Sequence, residues 1–363
     1  MANLHYEQKM KNLLLMVGQQ GASDIHLVVG RYPTLRIDGK LVTLSQEGLL
    51  TPADTIGLSD VLLDEKSKEE FMREEQVDFS YNFEDKARLR TNIFFQKGYV
   101  SVTMRFVNSR IRSLEDLDVP TSLYGFTQYT QGLILVTGPV GHGKSTTLAA
   151  VIDYINRTQD KHIVTIEDPI EYVYAQDRCI INQREVGKDA KSFSQALHAV
   201  FREDANIVLL GELRDLDTIS TAMTAAETGH LIFATLHTND CAQTVDRITD
   251  VFPSHQQNQI RSQLANTLLG VISQRLVPKI GGGRVPAVEI MIKNSAVENL
   301  IRENKSYQID SVIETSLKDG MVSLDRALTD LVMKGAVDVN DAFHYAKNKE
   351  YMQMLLNHKN GEQ

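Results

Sequence analysis

The stretch "GPVGHGKSTT", from Gly138 to Thr147, contains the residue types that grip phosphate groups. It has the spacing G-x-x-x-x-G-K-[ST] of a phosphate-binding loop, or P-loop. An apolar run, "GLILVT", precedes it, and a helical pattern follows it. Because a P-loop joins a buried strand to a helix, this context favours a phosphate site over a chance glycine-rich turn.

Each residue type in this loop has its own chemical use. Gly141 and Gly143 allow backbone N–H groups to surround phosphate oxygens without a Cβ in the way, and the following helix contributes its positive N-terminal dipole. Lys144 is expected to reach the β- and γ-phosphates, and the Ser145 hydroxyl to ligate Mg²⁺. His142 is expected to bind through its backbone, with its side chain turned away. We therefore predict nucleotide contacts from Gly138, Pro139, Val140, Gly141, His142, Gly143, Lys144, Ser145 and Thr146.

Short apolar runs alternate with helical patterns after Gly132, which is typical of parallel strands buried on both faces in a doubly wound α/β domain. The runs are "LILVTG", "HIVTIED", "NIVLLGE" and "HLIFATLHT". Another helix is predicted after Pro253. Its buried face would carry Ile260, Leu264, Leu268 and Ile272.

Polar side chains stand where these runs end. Glu167 and Glu212 end two of them, and His237 lies at the end of a third. Ligands of open α/β sheets bind beyond the carboxyl ends of the strands. A carboxylate there can hold Mg²⁺ through water or orient the attacking water, and a histidine can sense the γ-phosphate. We therefore predict Glu212 and Glu167 as catalytic acids and, with Ser145, as metal ligands.

The nucleotide is expected to be ATP rather than GTP. Translation GTPases carry [NT]-K-x-D and D-x-x-G motifs, and neither occurs after Ser145. The net charge of −9, from 38 basic and 47 acidic residues, also runs against broad nucleic-acid binding, which needs a basic surface. The two cysteines and the absence of an export signal or of a long apolar run favour a cytoplasmic protein.

The chain has 363 residues, which is room for two domains. The first hundred residues indicate strands and turns with helices between, including an N-terminal amphipathic helix and hairpin turns at Asp38-Gly39 and around Lys97-Gly98. A polar, irregular segment follows. We predict an N-terminal domain over residues 1–112, a linker over 113–131 and a P-loop domain with a helical C-terminal region over 132–363.

These motifs together resemble the secretion-type ATPases, and within them the type IV pilus retraction ATPase (PilT, twitching motility) family. The resemblance covers nearly the whole chain. It rests on the P-loop stretch, an acidic box, a signature after it, the second nucleotide motif and a histidine box. These are "GPVGHGKSTTLAAVIDYIN", "VTIEDPIEYV", "INQREVG", "REDANIVLLGELRD" and "AAETGHLIFATLHTND".

The resemblance implies a homohexameric ring motor, each subunit having a PAS-like N-terminal domain and a RecA-like ATPase domain. Glu212 would position the water, Glu167 would support Mg²⁺ or the water, and His230 and His237 would couple the γ-phosphate to domain position. Arg90 and Arg105 of the N-terminal domain match the places of the family's arginine fingers. The motor would act on an inner-membrane platform protein of the pilus machinery, at the cytoplasmic face of the inner membrane, and bind the membrane only through partners.

Other functions stay open at this point. A PilU-like accessory retraction ATPase, or another secretion-type ATPase, is the nearest alternative, and a related retraction ATPase is a possible partner. Extension and secretion ATPases usually carry a longer N-terminal region and a four-cysteine zinc site, and this sequence has only Cys179 and Cys241. A ring subunit that binds ATP without hydrolysing it and a RecA-like nucleic-acid motor are more remote.

Overall fold

The computed structural model describes residues 2–37, 39–84, 87–107 and 111–361. The chain divides into two compact units, described separately below. The first contains Met1–Arg110 with Glu171–Val173, and the second Ile111–Ile170 with Tyr174–Gln363. The predicted limits of a linker at 113 and 131 stay predictions. Within the described residues, no helix combines the length and the apolar character that crossing a membrane requires.

The first unit is a small α+β domain built on an antiparallel sheet. Its elements are α1 (Ala2–Gln19), β1 (Asp24–Leu27), β2 (Thr34–Ile37), β3 (Lys40–Thr43), α2 (Pro52–Leu62), α3 (Glu65–Glu74), β4 (Gln76–Phe83), β5 (Ala87–Gln96) and β6 (Tyr99–Val107). The strand order is β3-β2-β1-β6-β5-β4, with antiparallel pairing throughout the described strands. The N-terminal helix is confirmed.

Alternation along these strands separates an apolar face from a polar one. Ile25, Leu89 and Met104 are fully buried on the apolar face and form one core with Leu13 and Leu14 of α1. The predicted hairpin between β5 and β6 is confirmed, since Lys97 and Gly98 both have positive φ, at 52° and 79°, as a two-residue turn requires. Of the other predicted turn, Asp38 lies outside the described residues.

The second unit is an α/β domain followed by helices. Its elements are α4 (Ser122–Phe126), β7 (Gly132–Thr137), α5 (Lys144–Thr158), β8 (His162–Glu167), β9 (Ile180–Glu185), α6 (Phe193–Val200), β10 (Ile207–Leu210), α7 (Leu216–Glu227), β11 (Leu231–Leu236), α8 (Cys241–Asp250), α9 (Ser254–Thr267), β12 (Leu268–Pro278), β13 (Arg284–Ile292), α10 (Ser295–Arg302), α11 (Ile309–Thr315), α12 (Leu324–Met333), α13 (Val339–Tyr345) and α14 (Lys349–Gly361).

Its sheet has the order β13-β12-β7-β11-β10-β8-β9. Every described pairing is parallel except that of β12 with the edge strand β13. The predicted strands after Gly132 are therefore confirmed as parallel strands, and β7, β10 and β11 consist of buried residues alone. The fold class is confirmed: a RecA-like P-loop domain with a parallel sheet, preceded by a smaller α+β domain.

The helix predicted after Pro253 is wrong in its second half. Helix α9 ends at Thr267, so that Ile260 and Leu264 are helical while Leu268 and Ile272 lie on β12. All four are buried. Spacing by four residues fits a helical stripe and also one face of a strand, and the run from Leu268 onwards is rich in β-branched residues, which favour the strand.

Candidate functional site

The P-loop lies between β7 and α5, as predicted. Gly138 has φ of 140°, and a Cβ there would lie 2.3 Å from the carbonyl oxygen of Gln274, so that only glycine fits. Gly143 has φ of 81° and is the N-cap of α5, without a side-chain cap. By contrast, Asp215 and Asp240 cap α7 and α8 through their side chains. The backbone N–H groups in the first turn of α5 thus have no capping side chain, and they are placed to donate hydrogen bonds to an anion.

Lys144 is the first residue of α5, and its side chain reaches back over the loop. Its Nζ donates to the carbonyl oxygens of Gly138 at 2.8 Å and Pro139 at 3.0 Å. It also lies 3.2 Å from Nδ1 of His237. The residue is 7% exposed, so this ammonium group sits inside the curl of the loop. A cation held there suits phosphate oxygens bound by the same loop.

His237 connects Lys144 to Glu212. Since Lys144 can only donate, Nδ1 of His237 accepts, and the neutral ring then carries its proton on Nε2. That Nε2 lies 3.5 Å from Oε2 of Glu212. Nη2 of Arg214 contacts the other carboxylate oxygen of Glu212, and Nη1 of Arg214 lies 3.9 Å from Asp168. The structure therefore brings Lys144, His237 and Glu212 together at the carboxyl edge of the parallel sheet.

Glu167 lies at the end of β8, beside β10. It is 7% exposed, and its Oε1 accepts a hydrogen bond from Oγ1 of Thr165 at 2.7 Å. Nε2 of Gln183, on the edge strand β9, approaches the same oxygen at 3.5 Å. The backbone at Gly211 packs against Glu167, since a Cβ there would lie 3.3 Å from its Cα. Glu167 is thus a buried acid anchored beside the loop that carries Glu212.

The side chain of His142 is turned towards β12. Its Nδ1 accepts a hydrogen bond from the backbone N–H of Leu276 at 2.9 Å, and its carbonyl oxygen accepts one from Nε2 of Gln274 at 2.8 Å. Burial lowers the pKa of His142, and the nearby cations Arg275, Arg284 and Lys144 lower it further. The ring therefore stays neutral and able to accept at neutral pH.

The model of the type II/IV secretion system protein family matches residues 5–283. The chain belongs to this family. It is 45% identical to the type IV pilus retraction ATPase PilT of Pseudomonas aeruginosa, over 93% of this chain and 98% of that protein. It is 31% identical to the type IV pilus ATPase PilU of the same organism, over 96% and 91%. A crystal structure of the pilus retraction motor PilT with bound ADP superposes with a TM-score of 0.89, at 44% identity over 95% of this chain and 98% of that one.

This member of the secretion ATPase family is an ATPase. Two residues that contact the predicted site residues are absent from the sequence prediction. Arg214 follows the predicted acid in "GELRD" but was not itself predicted, and Gln274 belongs to no motif. The available signal for Gln274 was a polar residue inside the apolar run "LLGVISQRLV", because a buried amide needs partners.

The structure does not bring His230 to this site. His230 precedes β11, whereas His237 follows it, so the strand's six residues separate them by about 20 Å. Nδ1 of His230 instead lies 3.2 Å from the carbonyl oxygen of Ala225, and its ring packs edge-on against the ring of Phe201. The histidine box places its two histidines at opposite ends of β11. The role predicted for His230, coupling the γ-phosphate to domain position, stays a prediction.

Arg90 and Arg105 lie on the polar face of the first unit's sheet, directly opposite each other on β5 and β6. Nε of Arg105 donates to Oδ1 of the buried Asp24 at 2.8 Å, and Nε of Arg90 lies 3.9 Å from Asp78. Burial tends to raise the pKa of Asp24, but hydrogen bonds from Ser23 and Arg105 outweigh it and lower the pKa. Both arginines are exposed and present charged groups on one face.

Proposed function

We propose that this ATPase is a hexameric motor that powers type IV pilus retraction. The single observation that carries the proposal is the joined group Lys144–His237–Glu212 beside a complete P-loop, in a chain that aligns over 93% of its length with a retraction ATPase. The motor would work as a homohexamer at the cytoplasmic face of the inner membrane. Its mechanical partner would be the inner-membrane platform protein of the pilus machinery.

Nucleotide binding is assigned to the backbone of Gly138–Thr146. The amides in the uncapped first turn of α5 would donate to phosphate oxygens, and Lys144 would exchange its carbonyl partners for phosphate oxygens. The second change needs little movement, because Lys144 is already inside the loop. ATP is assigned as the nucleotide rather than GTP on the sequence motifs.

Mg²⁺ is assigned to the Ser145 hydroxyl with Glu167 and Glu212. These residues fit, since hydroxyl and carboxylate oxygens are the donors that Mg²⁺ prefers, and both acids belong to the edge of the sheet where the P-loop lies. Bound Mg²⁺ would neutralise charge on the β- and γ-phosphate oxygens. The protein's part is to hold these oxygen donors in place, which for Glu167 is done by Thr165 and Gln183.

Glu212 is assigned the role of positioning the attacking water and accepting its proton. Arg214 contacts one carboxylate oxygen of Glu212 and orients the side chain. His237 would report on the γ-phosphate, because it contacts both the lysine that binds this phosphate and the acid that acts on it. Hydrolysis would thereby be coupled to movement of the loop after β11.

Arg90 and Arg105 are assigned as the cations that the first unit offers to the γ-phosphate, in the manner of arginine fingers. Their adjacency on one sheet face supports this, since two guanidinium groups lie on neighbouring strands. Arg105 also has a structural partner in Asp24, so that its loss would affect folding as well as turnover. Arg90 is the better test of the catalytic role.

A first experiment compares steady-state ATP hydrolysis and the light-scattering mass of the wild type, Lys144→Ala and Lys334→Ala. Lys334 is an exposed lysine in the C-terminal helical region and serves as the matched control. We expect hydrolysis by a hexamer, lost by at least about 100-fold in Lys144→Ala and retained in the control. Twitching of a retraction-deficient host should be restored by the wild type and by Lys334→Ala, and not by Lys144→Ala. Full turnover by Lys144→Ala would contradict the assigned site. Hydrolysis by a wild-type protein that does not restore twitching would contradict the role in retraction.

A further inference from the structure

Gln274 lies on β12 beside the P-loop and is 2% exposed. Its Oε1 accepts a hydrogen bond from Oγ1 of Thr147, on α5, at 2.7 Å. Its Nε2 donates to the carbonyl oxygen of His142, inside the loop, at 2.8 Å. One buried amide therefore ties the loop and the helix that follows it to the same strand.

The loop is also shaped around this residue. A Cβ at Gly138 would lie 2.3 Å from the Gln274 carbonyl oxygen, and one at Gly143 would lie 2.8 Å from Nε2 of Gln274. The first and last glycines of the P-loop thus close on the backbone and the side chain of one residue. Gln274 therefore borders both ends of the loop, with its backbone carbonyl at Gly138 and its side chain at Gly143.

The hydrogen bond to His142 has a direct consequence for the amides of the loop. The carbonyl of His142 and the N–H of Gly143 belong to one planar trans peptide and point in opposite directions. Because Gln274 holds the carbonyl towards β12, the N–H of Gly143 is directed away from β12. The bond from Leu276 N–H to Nδ1 of His142 fixes the same residue a second time.

We propose that Gln274 is a positioning residue for nucleotide binding, which holds the P-loop in the conformation that accepts a nucleoside di- or triphosphate. The inference rests on the assignment of Gly138–Thr146 as the nucleotide site. Loss of the amide leaves the hydroxyl of Thr147 and the carbonyl of His142 without their buried partner. The loop must then be ordered when the ligand binds, and that cost appears as weaker affinity.

The test measures the Kd of a fluorescent ADP analogue and the kcat and KM of ATP hydrolysis in the full-length protein. Gln274→Met removes both hydrogen bonds at similar size, and Thr147→Val removes one. Thr329→Val is the matched control, because Thr329 is fully buried and hydrogen-bonds within α12 to the carbonyl of Asp325. We expect roughly 10- to 100-fold weaker binding for Gln274→Met and roughly 5-fold for Thr147→Val, with KM rising more than kcat falls.

A second pair tests the other hydrogen bond that fixes this part of the loop, from Leu276 N–H to Nδ1 of His142. His142→Asn retains an acceptor near the position of Nδ1, whereas the similarly sized His142→Leu has none. We expect His142→Asn to bind the ADP analogue several-fold more tightly than His142→Leu, with the control Thr329→Val equal to the wild type. Should Gln274→Met fail to fold, Thr147→Val decides the matter, because it removes the hydrogen bond to Oε1 of Gln274.

The outcomes are distinguishable from failure of the proposed nucleotide site. If Lys144→Ala binds the ADP analogue as well as the wild type, the nucleotide site itself is wrong. If Lys144→Ala loses binding while Gln274→Met and Thr147→Val bind like the control, the site stands and the role of Gln274 is overturned. Equal losses in Thr147→Val and Thr329→Val would likewise overturn it, because they would indicate a general effect of buried threonine loss.

Discussion

The two sheets of this molecule present their candidate site residues in different ways. In the second unit, Lys144, Glu212 and His237 follow parallel strands, and the fold brings them to one edge because all those strands run the same way. In the first unit, Arg90 and Arg105 lie in the middle of antiparallel strands, and they are adjacent only because the register pairs them.

This difference decides how each group depends on its surroundings. A residue after a strand end is brought to the site by the direction of its strand, and local contacts such as those of Gln274 then hold its loop. A residue in a cross-strand row depends on each strand keeping its register, since a slip by one residue would turn its side chain to the other face. Arg36, Asp24, Arg105 and Arg90 form one cross-strand row on β2, β1, β6 and β5. Asp24 anchors this row, because it is buried and ion-paired with Arg105.

The largest expected effect tests the strand-edge group. Glu212→Gln keeps the size of the side chain and one acceptor oxygen, but removes the charge and the base. We expect kcat to fall by at least about 100-fold while the Kd of an ATP analogue changes by less than about threefold. Steady-state hydrolysis and fluorescent-nucleotide titration measure the two quantities.

The control for this prediction is Glu227→Gln at the end of α7, where the carboxylate accepts from Gln263 on the surface. Its turnover should equal that of the wild type. Retained turnover in Glu212→Gln would remove Glu212 from the catalytic role and leave Glu167 as the acid to test next.

The strand-edge group was open to sequence prediction because its motifs are contiguous. Gly138–Thr146 was recognisable from one stretch, and Glu212 from its place after an apolar run. His230 shows the limit of that approach, since a motif containing two histidines says nothing about which edge of the sheet each one reaches. Gln274 shows another limit, because its partners are more than a hundred residues away in sequence.

The cross-strand row was harder to predict, because no stretch of sequence contains it. The hairpin turn at Lys97-Gly98 predicts that β5 and β6 pair, and this register makes Arg90 and Arg105 opposite neighbours. The turn does not predict that β1 inserts Asp24 next to Arg105, since β1 and β6 are far apart along the chain. The strand β12 was misread for a related reason: periodicity over a few apolar residues does not distinguish a buried strand from a helix.

An effect of intermediate size, on the free energy of unfolding, distinguishes Arg105 from Arg90. Arg105→Gln leaves the buried carboxylate of Asp24 without its nearest cation, and we expect a loss of about 1–2 kcal/mol in the free energy of unfolding. Arg90→Gln removes only a half-exposed ion pair with Asp78 and should cost about 0.5 kcal/mol or less. Urea unfolding gives both values, and equal losses would mean that Asp24 does not anchor the row.

The smallest effect concerns acid stability. The pKa of Asp24 in the folded chain lies below its ordinary value of 3.8, because hydrogen bonds from Ser23 and Arg105 outweigh the effect of burial. The folded state therefore holds this carboxylate ionised where the unfolded chain binds a proton, so its stabilisation is fully present above the unfolded pKa and is lost as the pH falls through the folded pKa.

Urea midpoints measured from about pH 5 down to about pH 3 should fall less steeply for Asp24→Asn than for the wild type. Because Arg105 is one source of the lowered pKa, Arg105→Gln should also flatten the slope, whereas Arg90→Gln should leave it as in the wild type. A slope that Asp24→Asn does not change would show that the row is held by packing and register rather than by the charge of Asp24.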